Sequence, residues 1–379
     1  MSTIPHHHIC GVIPDHILTK IAARSPEARD SALSTLEQMR ALHSFRGIRP
    51  LIAVAENVTG PQKNRRVYDA KHKTSLPGTL VMDEHTKPGK DVQVIKAFVV
   101  CGSVYDFWSI VFGRSSIDGN GKRLDSIVDF DRNFDNAYWD GYRIIYGDGD
   151  RVVFIDFMVP DVICHEITHG HTQYLCGLGY TGQTGALNES ISDAFGSMFK
   201  QWLLGQSSAD ADWLIGAGIF APGIQARGIR SLAMPGTAYD DPLLGKDPQP
   251  AHMSGYVKTR ADNGGVHINS GIPNKAFYNV SMGLGGNSWQ SPGQIWFTAA
   301  SRLRPDATFI DFARATVDVA GEEFGNGGNV QETVAQAWGQ VGIEVPIVAL
   351  KAMERLPVSS SKPIARHTRA LRSSLREAA

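Results

Sequence analysis

The chain of 379 residues has few cysteines and almost no net charge. Its four cysteines (Cys10, Cys101, Cys164 and Cys176) form no CxxC pair and are too few for a disulfide framework. Its 37 basic and 38 acidic residues give a formal charge of −1. That balance supplies no basic field for a nucleic acid and no net attraction to an acidic membrane surface. We therefore expect neither nucleic acid nor a membrane among its partners.

Long apolar runs and periodic repeats are also missing. No apolar run approaches the roughly 20 residues that a membrane span needs, and the 39 glycines and 19 prolines follow no period. The N-terminus, MSTIPHHHICGVIPDHIL, lacks a basic segment followed by an apolar one, so we expect no conventional signal peptide. These absences predict a soluble globular protein, long enough for two domains or more.

The texture of the sequence changes along the chain. Residues 14–46 carry apolar side chains at helical spacing. From Val67 to about residue 156, short apolar runs such as VQVIKAFVV and VVFIDFM predict antiparallel sheet, and from Asp161 onward the spacing is helical. A β-rich half followed by an α-rich half predicts an α+β fold. Residues 346–379 hold seven basic and two acidic residues, which predicts a solvated tail, with an anion-binding module as the alternative.

The sharpest motif is HExxH in DVICHEITHGHTQY. His165 and His169 are four residues apart, so on a helix both imidazoles lie on one face and can reach one ion. Glu166 lies beside them, where it can meet a water on that ion. Catalytic zinc takes three protein ligands, and Glu189, twenty residues after His169, is the candidate third.

The segment GALNESISDAF supplies further candidates around the metal. Asp193 lies one helical turn after Glu189 and can accept the outer N–H of His165, while Asn188 can orient His169. The alternative for this segment is an amphipathic helix with a solvated carboxylate face. Because both segments together complete a zinc site, the sequence favours the metal.

HEITH followed by GALNESISD resembles the thermolysin family of zinc metalloendopeptidases, and the resemblance extends from about Val67 to Val345. NAYWDGYRIIYGDGD is similar to the family's substrate-binding edge strand, and ADNGGVHINSGIPNKAFY to the segment with its second catalytic histidine. Thr172 and Leu175 stand where the metzincins have glycine and histidine, which excludes that group. The resemblance implies a two-lobed α+β fold, with a β-rich N-terminal lobe, an α-helical C-terminal lobe and the active-site cleft between them.

The resemblance also implies a role for each site residue. The implied zinc ligands are His165, His169 and Glu189. The implied catalytic residues are Glu166, the general base that activates a zinc-bound water, the oxyanion donors Tyr180 and His267, and Asp262, which orients His267. The implied substrate-binding residues are Asn136 and the backbone of Ala137 along an added peptide strand, Arg230 at a substrate carbonyl, and Phe154, Val162 and Ile229 around an apolar pocket. Cleavage of proteins and peptides before bulky apolar residues is the implied activity.

ICGVIPDHILTKIA resembles the short prosegment of the protealysin-like subgroup, which implies a monomeric zymogen inhibited by its own N-terminus. The predicted division is a prosegment (1–50), a linker (51–66), a β-rich lobe with the HEITH helix (67–185), a helical lobe (186–345) and a basic tail (346–379). The resemblance implies secretion; a cytoplasmic or unconventionally exported protein is the alternative. A peptide-capturing protein without catalysis is the alternative function.

Calcium is a further expectation raised by the resemblance. Family members commonly bind structural calcium beside the active-site helices through clustered carboxylates. Asp161 retains one candidate ligand, but Lys200 stands where an acidic ligand is expected. Because a lysine cannot ligate a hard cation and repels it, the sequence argues against a double calcium site.

Overall fold

The structure is a computed structural model that describes residues 9–44, 62–86 and 89–347. Most of the predicted linker, the tail from residue 348 onward and the triplet His6–His8 lie outside these residues. Two helices in the region predicted to be helical, α1 (Asp15–Arg24) and α2 (Arg29–Ser44), follow the short strand β1 (Cys10–Gly11).

The N-terminal part of the remaining chain contains a six-stranded sheet with the order β1-β5-β6-β4-β2-β3. Its other strands are β2 (Arg65–Lys73), β3 (Thr79–Asp83), β4 (Leu124–Phe130), β5 (Ala137–Trp139) and β6 (Ile144–Tyr146). The prediction of an antiparallel sheet was wrong for β4, which pairs in parallel with both β2 and β6, whereas the other three pairings are antiparallel. The long helix α3 (Val92–Phe112) supplies the crossover that a parallel pair requires.

Helix α3 contains the run VQVIKAFVV, which the sequence analysis assigned to a strand. Asp91 caps its first turn by accepting the backbone N–H groups of Gln93 and Val94. An apolar run that is buried on several faces has no clear period, so a buried helix and a buried strand look alike. The 21 residues of α3 are also long and apolar enough to cross a membrane, contrary to expectation, but most pack inside the protein core. The second misassigned run, VVFIDFM, forms only an isolated bridge between Phe154 and Phe220.

Two buried helices cross behind the sheet: α4 (Pro160–Leu175) and α5 (Gly182–Leu204). They approach closely at Gly196, where a Cβ atom would lie 2.6 Å from the carbonyl oxygen of Asp161. Short strands β7 (Leu214–Ile215), β8 (Arg230–Ser231), β9 (Asp240–Asp241) and β10 (Gly245–Lys246) follow. The C-terminal helices are α6 (Asp262–Asn269), α7 (Gly271–Leu284), α8 (Ser291–Ser301), α9 (Phe309–Phe324) and α10 (Asn329–Gly339). The main sheet therefore precedes a helical half.

Candidate active site

The crossing of α4 and α5 brings together the three predicted metal ligands. Nε2 of His165 lies 3.1 Å from Nε2 of His169 and 3.5 Å from Oε2 of Glu189, and Nε2 of His169 lies 3.4 Å from Oε1 of Glu189. All three side chains are buried. Two imidazoles and one carboxylate are a donor set that catalytic zinc takes, so these residues fit the ion that the sequence implies.

Each imidazole is held through its outer nitrogen. Nδ1 of His165 lies 2.9 Å from Asp193 Oδ1, and Nδ1 of His169 lies 3.0 Å from Asn188 Oδ1. Ser192, which the sequence analysis did not identify, places its hydroxyl 3.2 Å from the same nitrogen of His169. Such partners fix the ring orientation so that both Nε2 atoms face the ion. Helical spacing from Glu189 could have identified Ser192.

Electrostatics at these ligands favour metal-binding protonation states. Burial lowers the pKa of His169 to about 3, so the imidazole is neutral and its nitrogen can ligate. Burial opposes ionisation of Glu189, but the imidazoles of His267, His169 and His165 outweigh it and hold its pKa at about 2. The site therefore combines a neutral His169 imidazole with an ionised Glu189 carboxylate.

Glu166 lies next to the first ligand in a fully buried position. Among the described residues, no side chain forms a hydrogen bond with either carboxyl oxygen of Glu166. Burial, reinforced by the charge of Glu189, raises the pKa of Glu166 well above the ordinary carboxyl value. A buried carboxylate with raised basicity is suited to take a proton.

Tyr180 and His267 face the ligands from outside α4. The Tyr180 hydroxyl donates to Glu189 Oε1 and lies 3.2 Å from Nε2 of His267. Asp262 accepts the backbone N–H of His267 at 2.8 Å and holds its Nδ1 at 2.6 Å. Although burial opposes protonation, Glu189 and Asp262 raise the pKa of His267 to about 9, so its Nε2 is a cationic donor.

Arg230 connects the metal site to the cleft. Its Nε and Nη2 pair with both oxygens of Asp193, at 2.7 and 2.8 Å, while Nη1 donates to the carbonyl oxygen of Val12 at 3.0 Å. The sequence predicted separate roles for Arg230 and Asp193 and gave no sign of their ion pair. Nor did it indicate Asn274 on α7, whose amide donates to Asp193 Oδ2 at 2.9 Å. Neither partner follows from local spacing, since both contacts span at least 37 residues of sequence.

A segment of the chain itself runs along the predicted peptide-binding strand. Strand β1 pairs with β5 in antiparallel fashion, and the Val12 N–H donates to the Ala137 carbonyl at 3.0 Å. Asn136 exchanges two hydrogen bonds with the backbone of Ile13, at 2.9 and 3.1 Å. The N-terminal segment thus occupies the cleft as an added strand.

The three predicted pocket residues, Phe154, Val162 and Ile229, are all buried and belong to the main hydrophobic core. Phe154 and Phe157 have ring centroids 5.3 Å apart. The structure therefore places these side chains in the core, and their contact with a substrate residue is still a prediction.

Lys200 fills the position where the resemblance implies a calcium ligand. Its Nζ lies 2.9 Å from Asp161 Oδ2 and 2.9 Å from Asp212 Oδ1, and donates to the carbonyl of Leu214 at 2.6 Å. Burial opposes the charge, but the two carboxylates outweigh it and raise the pKa of Lys200. The ammonium group occupies the space between these oxygens, so the residues do not fit a calcium ion at this position.

The site combines two imidazoles and two glutamates on the buried helices α4 and α5, and α4 packs against strand β5, which pairs with the chain's own N-terminal segment. This combination defines a zinc metallopeptidase. A family model described as the thermolysin metallopeptidase catalytic domain matches residues 55–173, and the model of its alpha-helical domain matches residues 176–343. The chain therefore belongs to the thermolysin family, and the resemblance seen in its sequence is confirmed, as is its two-lobed fold.

Individual relatives agree with this assignment. An extracellular metalloprotease of Pectobacterium carotovorum subsp. carotovorum is 46% identical over 341 residues, which cover 89% of this chain and 97% of that protein. Thermolysin of Alicyclobacillus acidocaldarius subsp. acidocaldarius is 35% identical over 287 residues, covering 73% of this chain and 50% of that protein. The solved precursor of protealysin, a metalloproteinase from Serratia proteamaculans, is 44% identical with a TM-score of 0.81, covering 88% of this chain and 99% of that one.

Proposed function

We propose that this zinc-dependent peptidase is an endopeptidase made as a zymogen, which cleaves proteins before bulky apolar residues. The observation that carries the proposal is the pairing of β1 with β5, two strands that pack against α4, the helix that carries His165, Glu166 and His169. A peptide strand in this cleft lies next to the metal ligands and next to Glu166. The extracellular name of the Pectobacterium relative supports secretion.

In the proposed mechanism, His165, His169 and Glu189 would hold a zinc ion, which would supply the Lewis acid that makes a water nucleophilic at neutral pH. Glu166 takes a proton from the attacking water and carries it to the leaving amine. A positioned carboxylate contributes roughly 10²–10⁴ in rate through such transfer. The raised basicity of buried Glu166 supports this role.

Tyr180 and His267 stabilise the negative charge that develops on the substrate carbonyl oxygen. His267 is fixed before substrate binds, because Asp262 holds its Nδ1 at 2.6 Å, while the Tyr180 hydroxyl, 3.2 Å from this imidazole, turns from Glu189 to the substrate oxygen. Preorganised donors cost no reorganisation during the reaction. Arg230 binds the next substrate carbonyl, as it binds that of Val12 in the zymogen.

The N-terminal segment inhibits the enzyme because it occupies the groups that a substrate strand needs. Residues 10–13 use the same backbone groups and the same Asn136 and Arg230 side chains that a substrate strand would use. The solved relative is itself a precursor, which supports a zymogen. We propose that removal of the prosegment, residues 1–50, exposes the cleft. We also propose that the rest of the chain is divided into linker, two lobes and tail at the boundaries given above.

The experiment that tests this function combines metal analysis with a series of peptides. We expect about one zinc per chain, loss of activity on exhaustive chelation, and recovery on readdition of zinc. Peptides that differ only in the residue after the scissile bond should be cleaved fastest with leucine or phenylalanine and slowest with aspartate. A purified, processed protein that binds such peptides without turnover would instead support the capture function.

We also predict that calcium does not stabilise the protein by binding at the Lys200 position. With zinc held constant, added calcium should raise the melting temperature of the wild type less than that of the variant Lys200→Glu. Lys200→Glu replaces the internal cation by a third carboxylate and should gain a calcium-dependent increase, worth about 2.7 kcal/mol at a hundred times the dissociation constant. Thermal unfolding followed by circular dichroism measures the shift.

The matched control for this prediction is Lys246→Glu, which makes the same charge change at an exposed position. It should respond to calcium as the wild type does. A wild type that calcium stabilises as strongly as it stabilises Lys200→Glu would contradict the prediction.

A further inference from the structure

Helix α2 contacts the body of the protein through uncharged polar side chains. These are spaced i, i+4 and i+7, so they lie on one face of the helix. The contacts are Ser31 Oγ to Asp150 Oδ2 (3.3 Å), the backbone N–H of Asp135 to Thr35 Oγ1 (3.0 Å) and Gln38 Nε2 to Asp131 Oδ2. The surface beneath α2 therefore carries Asp131, Asp135 and Asp150, and together with the neighbouring Asp148 we call these residues the acidic surface.

The charged side chains of α2 do not neutralise this surface. Between residues 29 and 40 they are all exposed to solvent: Arg29, Asp30, Glu37 and Arg40. On the other side, His72 lies 3.6 Å from Asp148 and is itself partly exposed. Docking of α2 thus covers carboxylates without bringing a cation to the most buried of them.

Asp135 is that most buried carboxylate. It is fully shielded from solvent beneath Ser31 and Thr35. Its Oδ1 accepts the backbone N–H of Asp150 at 2.8 Å, and its Oδ2 has no hydrogen-bond partner of its own among the described residues. An ionised carboxylate in such a place is strongly disfavoured, whereas the protonated form is tolerated.

The charges around Asp135 act in the same direction as its burial. Burial and then the Asp150 carboxylate raise the pKa of Asp135 well above the ordinary value, and Asp148 adds to the effect. The backbone N–H of Asp150 and the nearby Ser31 hydroxyl, which itself donates to Asp150, lower the pKa of Asp135 and offset only part of this effect. Because Ser31 and Thr35 belong to α2, departure of the helix would open this position to water.

We propose that docking of the prosegment is linked to a proton: Asp135 is protonated while α2 covers it and gives its proton to solvent when α2 leaves. Rising pH then favours release of the inhibitor. This inference rests on the proposed function, in which the N-terminal segment is a removable inhibitor. It adds a signal that controls how firmly that segment is held.

The sign of the linkage follows from the two states. The docked state has the higher pKa at Asp135, so docking is strongest below the ordinary carboxyl value of about 3.9. Between that value and the raised one, docking weakens up to tenfold per pH unit, because only the docked state binds the proton. Above the raised value the pH dependence ends.

The experiment measures amide hydrogen exchange in α2 as a function of pH, on the full zinc-loaded chain carrying Glu166→Gln to prevent self-cleavage. After correction for intrinsic exchange rates, we expect the protection factors of α2 to fall with pH, by up to tenfold per unit. Asp135→Asn, which cannot ionise, should remove this slope. Asp30→Asn, an exposed acid on the same helix, should keep it.

A flat pH profile in the Glu166→Gln chain, which retains Asp135, would overturn the inference. The test therefore does not depend on whether the Asp135→Asn variant folds. A slope that persists in folded Asp135→Asn, as judged by melting temperature and zinc content, would also overturn it. Failure of the proposed function would look different: processed enzyme would be no more active than the full chain, whatever the exchange profile.

Discussion

Replacing Glu166 by glutamine is expected to lower kcat by roughly 10²–10⁴-fold while leaving zinc bound. The amide keeps the size of the side chain but cannot accept the proton of the attacking water. None of the metal ligands changes, and Asp193 and Asn188 still hold the imidazoles at 2.9 and 3.0 Å. Steady-state kinetics on a short peptide, with zinc content measured on the same sample, checks the prediction.

The comparison requires processed enzyme, because in the full chain β1 pairs with β5, the strand where we propose that substrate binds. Both proteins would be treated with the same added protease, since the Glu166→Gln enzyme is not expected to process itself. Glu322→Gln, an exposed glutamate that pairs with Arg302 at 2.8 Å, is the matched control and should keep wild-type kcat. A Glu166→Gln enzyme with more than a tenth of the wild-type kcat would show that another group activates the water.

Much of the metal site could be predicted because its information is local. His165, Glu166 and His169 lie within one helical turn, and Glu189 and Asp193 share the next helix, so spacing alone puts each pair on one face. The close approach of the two helices at Gly196 then completes the cluster. The contacts of Arg230 and Asn274 with Asp193 could not be predicted from residues alone, because they depend on how distant elements pack.

Errors in the predicted fold have a related cause. The run in α3 is apolar on nearly every face, and such a run loses the period that separates helix from strand. The parallel pairing of β4 with β2 is set by the α3 crossover, which the misassigned run concealed. Likewise, β1 is only two residues long and exists because an edge strand pairs with it. Its own sequence carries no strand pattern.

Replacing Gly11 by valine is expected to release the inhibitor without any cleavage. A Cβ atom at Gly11 would lie 2.6 Å from the Asn136 side-chain nitrogen and 2.9 Å from the terminal methyl of Met39. Either Asn136 gives up its hydrogen bond to the Ile13 carbonyl or β1 shifts, and both changes weaken the docking of β1 on β5. Overpacking of this kind costs about 1–3 kcal/mol, which shifts the docked equilibrium roughly 5- to 150-fold toward the open cleft. The initial rate of peptide hydrolysis by the intact full chain should rise by that factor, with mass spectrometry confirming that the chain is uncut.

Gly89→Val, where an added Cβ meets no atom within 4 Å, is the matched control and should leave the full chain latent. An intact Gly11→Val chain as latent as the wild type would mean that inhibition does not depend on the strand in the cleft, and would place it instead in the contacts of α1 and α2.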